Sequence, residues 1–92
     1  MISDKLGYQP VVNGSPLTVR SGPAGLFGLI VVDSTSATVT VYDNTSASGT
    51  ILFAKDSLVK GDVIHFGGKG IAAKNGLHVV VGGTGTVNIL HA

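Results

Sequence analysis

The chain has 92 residues, a net charge of +1 and no cysteine, so it is sized for one domain with a small core and has neither disulfides nor thiolate chemistry. Only 12% of residues are charged, about half the usual share, and the six basic ones (Lys5, Arg20, Lys55, Lys60, Lys69, Lys74) are scattered, which argues against a nucleic-acid partner. Fourteen glycines among many Val, Thr and Ser favour strands joined by tight turns over helices.

Taken in chain order, the opening MISDKLGYQP lacks the basic region and apolar run of a signal peptide, and no apolar stretch is long enough to span a bilayer. The chain therefore reads as a soluble product of the cytoplasm, where the N-x-[ST] matches at Asn13 and Asn44 carry little weight. Residues 1–16 show no strand or helix periodicity and contain Pro10, Asn13-Gly14 and Pro16, which predicts an extended N-terminal arm. Such an arm, with Tyr8, Val11 and Val12, needs a surface to lie on.

From Leu17 onward, short runs bounded by Gly, Asn, Asp and Ser clusters predict one all-β sandwich or barrel domain over 17–92. Strands are expected near 17–20, 26–32, 37–42, 50–54, 62–66, 70–73, 77–81 and 86–91. In 37–42 the alternation turns Val39 and Val41 to the core, with Thr38, Thr40 and Tyr42 on the other side. LFGLIVV (26–32) and LHVVV (77–81) are apolar at nearly every position, which predicts burial on both faces, the second face at a subunit contact. Leu26, Phe27, Leu29, Ile30, Val79 and Val81 are the residues expected to serve core and oligomer packing. The segments 28–42 and 76–90 also align without gaps, and both are expected to be hairpins in pseudo-equivalent places.

The chemistry-bearing residues form no recognisable active site. HFGGKG (65–70) fails as a phosphate loop: with Lys69 in the lysine place, Val63 stands where the first glycine belongs and Gly70 where the hydroxyl belongs. It is expected to be a strand-to-strand turn. GGTGT (82–86) fails as a dinucleotide fingerprint, because Asn88 occupies the place of the third glycine. His65, His78 and His91 have no local partner at metal-ligand spacing, so no metal or other cofactor is expected. Ser57 with Asp56, Asp62 and His65 is the one compact set of nucleophile-type residues, but it matches no nucleophile elbow, and hydroxyls and aspartates beside strands are ordinarily turn formers. An enzymatic role is not expected. Exposed aromatic candidates for stacking on sugars or bases are few, Tyr8 and Tyr42.

The succession of SGPAGLFGLIVVDSTSATVTVYDNTSASGTILFAKDSLVKGD and GKGIAAKNGLHVVVGGTGTVNIL over residues 20–91 resembles the small virion structural proteins of tailed bacteriophages. The resemblance lies in a strand-and-turn pattern with no active-site signature. It implies a jelly-roll or β-sandwich subunit. Within that group the capsid decoration or cement role fits best: a homotrimer made in the host cytoplasm and seated on the outer capsid surface, where it bridges major capsid proteins. Tyr8, Pro10, Val11, Val12 and Lys69 are then the expected shell contacts, with no nucleic acid, membrane or small-molecule ligand. The alternatives are a host-recognition or tail-fibre module, using loops 43–49 and 67–70, and a tail or head-completion subunit.

Overall fold

Branched and aromatic runs separated by glycine turns become nine strands and no helix among residues 7–67 and 70–92, which are those the computed structural model describes. They are β1 (Gly7–Val12), β2 (Leu17–Arg20), β3 (Ala24–Asp33), β4 (Ala37–Tyr42), β5 (Ile51–Leu58), β6 (Val63–His65), β7 (Ile71–Ala73), β8 (Leu77–Gly83) and β9 (Thr86–His91). All pairings are antiparallel. One sheet has five strands in the order β1-β9-β3-β6, with β7 also on β3, and the other has four in the order β2-β8-β4-β5.

Alternation decides which side of each strand meets the other sheet. Val11, Leu29, Val31, Val87 and Ile89 point inward from the five-stranded sheet, and Val39, Val41, Leu77, Val79 and Val81 from the four-stranded one. Leu26, Ala37, Leu58 and Ala73 complete the same cluster, and Phe53 meets Phe66 edge-on at 5.1 Å beside it. Each fully buried Leu, Ile or Val contributes roughly 1.5–3 kcal/mol, so this single layer is the main source of stability.

The pairings nest. β4 pairs with β5, β3 with β6, β2 with β8 and β1 with β9, as in one long hairpin ribbon whose ends meet last. Across the ribbon, β3 also pairs with β9, and β4 with β8. Segments 28–42 and 76–90 are therefore not hairpins. Each crosses from one sheet to the other, and the two pair with each other, because each carries an apolar set on both of its strands and the two sets must face across the core.

The turns of these crossings are tied together at one end of the sandwich. Ser34 Oγ donates to the Thr84 carbonyl at 2.7 Å, and Asn13 Nδ2 donates to the Gly83 carbonyl at 3.0 Å. Gly85 has φ +102, and a Cβ there would collide with the Asp33 carbonyl, so glycine is required.

The stretch predicted as an arm differs most from expectation. From Gly7 it is the edge strand β1, with Val11 opposite Val87 and 1% exposed. Pro10 is compatible with this strand because a proline that would break a central strand is tolerated at a sheet edge, where one side of the backbone has no partner. Residues 1–6 lie outside the described residues.

Candidate interaction surfaces

Where one side of a strand is fixed in the core, the register decides what the other side presents. On the outer face of the five-stranded sheet, Pro10, Asn88, Ile30 and Val63 stand side by side in one row across β1, β9, β3 and β6. The row on one side of it holds Tyr8, Leu90, Gly28 and His65. The row on the other side holds Val12, Thr86 and, at a bulge in β3, Val32 and Asp33. Tyr8 is 67% exposed, Val63 53% and Ile30 38%, so this is an apolar face open to water. Among the described residues it carries no lysine or arginine, and Asp33 stands at its end.

The expected shell contacts divide on this geometry. Tyr8, Pro10 and Val12 do lie exposed together, on a strand and not on a free arm. Val11 alternates with them and is buried, so it cannot meet a partner. Lys69 lies outside the described residues.

The packing set divides too. Leu26, Leu29, Val79 and Val81 are in the core, whereas Phe27 is half-buried and Ile30 belongs to the open face. Burial on both sides of 26–32 is thus not met within one chain. A bulge between Leu26 and Gly28 places Phe27 against Gly25, where a Cβ would come within 2.9 Å of its ring.

The outer face of the four-stranded sheet has another chemistry. One row reads Thr18, His78, Tyr42 and Ile51, and the next holds Val80, Thr40 and Ala54, with Gly82 and Thr38 beyond. Thr18 Oγ1 donates to the Thr45 carbonyl at 3.0 Å and lies 2.8 Å from His78 Nδ1. A hydroxyl has one proton, so Nδ1 must be the donor of that second bond, which leaves Nε2 as the acceptor of the neutral ring. Tyr42 sits beside the imidazole, with ring centroids 6.5 Å apart.

The remaining polar candidates serve turns. The Asp43 carboxylate accepts from the backbone N–H groups of Asn75 at 2.7 Å and Lys74 at 3.0 Å. These bonds, Asn75 foremost, hold its carboxyl below the usual carboxylate range. Asp62 Oδ2 accepts from the Val59 N–H at 2.9 Å, and Ser57 has a positive φ of 59 on the edge strand β5, so the Ser57, Asp56, Asp62 and His65 set is spread over two sheets, with Asp56 and Ser57 on β5, Asp62 in the turn after it and His65 on β6. HFGGKG lies between β6 and β7; Gly67 and Gly70 both have positive φ, whereas Gly68 and Lys69 lie outside the described residues.

The three histidines do not converge. His65 is on the apolar face, His78 is on the opposite outer face, and His91 turns inward at the end of β9, where its Nδ1 is buried without a partner. Burial, and secondarily the charge of Arg20, pushes the His91 imidazole below its ordinary value. Among the described residues no group of three or more His, Cys, Asp or Glu side chains is placed to hold a metal ion. Comparison with protein families, curated proteins and solved structures finds no match.

Proposed function

We propose that the chain is a non-enzymatic bacteriophage capsid decoration, or cement, protein: a jelly roll that self-associates, binds the outer capsid shell and stabilises the expanded head by bridging major capsid proteins. The nested pairing supports the jelly-roll part. Leaving β7 aside, eight strands pair first with last, second with second-last and so inward, and the ribbon is rolled so that alternate pairs fall on opposite sheets. That architecture is widely used in viral shells.

The observation that carries the functional reading is the open apolar face, Tyr8, Pro10, Val12, Ile30 and Val63, on a chain with so few charges. Such a face on a small protein marks an interaction site, and charge-poor centres with aromatic residues are typical of protein interfaces. A cement protein has to join both its own copies and a shell, and the two outer faces are of two chemistries. Binding only the expanded lattice adds stability by mass action, about 2.7 kcal/mol per site when free protein stands at 100 times Kd.

The test is to mix purified protein with expanded and unexpanded heads, sediment them, and heat the particles. Selective binding to expanded heads with a raised disruption temperature is the expected result. Equal binding to both, or unchanged heat resistance, would overturn the reading.

A further inference from the structure

We infer that the apolar outer face of the five-stranded sheet is covered by a second copy of this chain, the two sheets packing face to face about a two-fold axis that runs along the row Pro10, Asn88, Ile30 and Val63. The inference stands on the face itself and holds whether or not the protein belongs to a virion.

Three observations select this occupant. The first is the location of exposed apolar side chains. Of the seven large ones among the described residues, Tyr8, Val12, Ile30, Val32 and Val63 fall on this face, while Ile51 and Val59 lie elsewhere. The surface of this chain that best matches an uncharged apolar face is therefore the same face of another copy, which is the condition for an isologous contact.

The second is Asn88 near the middle of the face. A half-exposed amide carries both donors and an acceptor, and a dry partner must satisfy both kinds. On the two-fold axis Asn88 meets Asn88, and each Nδ2–H donates to the other's Oδ1. A single buried Asn pair of this kind fixes register at some cost in stability.

The third is the placement of the ionisable groups. Asp33 stands at one end of the face and His65 at the other. An axis along the strands would bring the two Asp33 ends together. An axis along the row reverses the ends, so each carboxylate faces the row of the other copy that contains His65, and Tyr8 of one copy lies over Val12 of the other. Like charges are kept apart only in this arrangement.

Edge-to-edge growth of the sheets is disfavoured by comparison. β1 carries Pro10, β2 has a register shift, and β5 has two register shifts along its pairing with β4. β6 and β7 have three residues each. Bulges, prolines and short strands are the devices that keep edges from pairing. Assembly is left to the face.

Four strands about 4.8 Å apart and six residues at about 3.3 Å cover roughly 400 Å² of flat area per copy. That is small against the about 800 Å² of accessible surface that each partner contributes to a standard interface. The pair is accordingly a weak one, with Kd on the order of micromolar.

Sedimentation equilibrium of the whole chain across the micromolar range is the test, with circular dichroism to verify folding. Wild type should show a concentration-dependent mass of two chains. Asn88→Asp and Val63→Lys should each raise Kd at least about tenfold, while Thr40→Asp on the opposite outer face leaves it unchanged. Val63 is half-exposed on a short edge strand, so its variant folds even if Asn88→Asp does not. A monomer throughout, a mass of three chains, or a dimer indifferent to both face variants would overturn the inference. None of those outcomes decides whether the protein binds expanded heads, so the shell-binding part of the proposed function is tested separately, and only a monomer throughout would also remove its self-association.

Discussion

The outer faces of the two sheets differ although their inner faces are nearly interchangeable. Inward, both present Val and Leu at alternate positions. Outward, one presents Tyr8, Ile30 and Val63, and the other presents Thr18, Thr38, Thr40 and His78. Packing constrains only the inner sides. What distinguishes the outer sides is not set by packing within the chain, and the apolar one is the side on which the proposed contact rests.

The largest effects should come from the side that the sheets share. Leu29→Ala should cost about 3 kcal/mol in urea unfolding, and Val41→Ala somewhat less, because each leaves a cavity in a core one layer thick. If either variant unfolds like wild type, the equivalence of the inner faces is broken.

On the hydroxyl-bearing outer face, Thr18→Val should cost about 1 kcal/mol by removing the bonds to the Thr45 carbonyl and His78. The same variant should release the His78 tautomer, visible in the nitrogen shifts of the ring. An unchanged spectrum would mean that Thr18 does not set it.

A pH titration tests the inward placement of His91. Its folded pKa is depressed below 6.5, so the neutral ring is favoured in the fold and the unfolded chain binds the proton more readily. Stability should be fully present above about pH 6.5 and decline as pH falls below it. His91→Leu should flatten that decline in thermal melts. An equal slope in the variant would place the effect elsewhere.

The smallest effect should come from exchanging characters between the outer faces. Ile30→Thr should change the stability of the isolated chain by no more than about 0.5 kcal/mol, since Ile30 is not part of the core. Thr40→Ile should be equally mild in melts but lower solubility, by joining Val80 and Ala54 on either side of it into a continuous apolar row. A large loss for Ile30→Thr in melts of dilute protein would mean that the face contributes to the fold of one chain.

Much of the architecture was legible in the residues. The strands Leu17–Arg20, Ala37–Tyr42 and Thr86–His91 have the boundaries that alternation and turn signals predict, and Val39 and Val41 face inward as their spacing requires. Two things were hidden. β1 has proline and no apolar alternation, since only Val11 on its inner side needs burial, so nothing local marks it as a strand. Continuous apolar character in 26–32 announces two faces that avoid water, but it does not say whether the second is covered by the same chain. Register supplies that answer, by setting Ile30 in line with Pro10, Asn88 and Val63 on the outside. Register itself depends on pairings such as Gly7 with His91, which span almost the whole sequence.

That nesting also sets an order in time. The hairpin of β4 and β5 encloses the shortest stretch of chain and is the least costly to close, whereas β1 cannot find β9 until nearly everything between them has been synthesised and folded. Formation should therefore zip outward from the turn at 43–50, at the slow, millisecond-to-second pace of chains ruled by distant contacts. β1, which forms one border of the apolar face, arrives last, so that face is completed only when the rest of the chain is already folded.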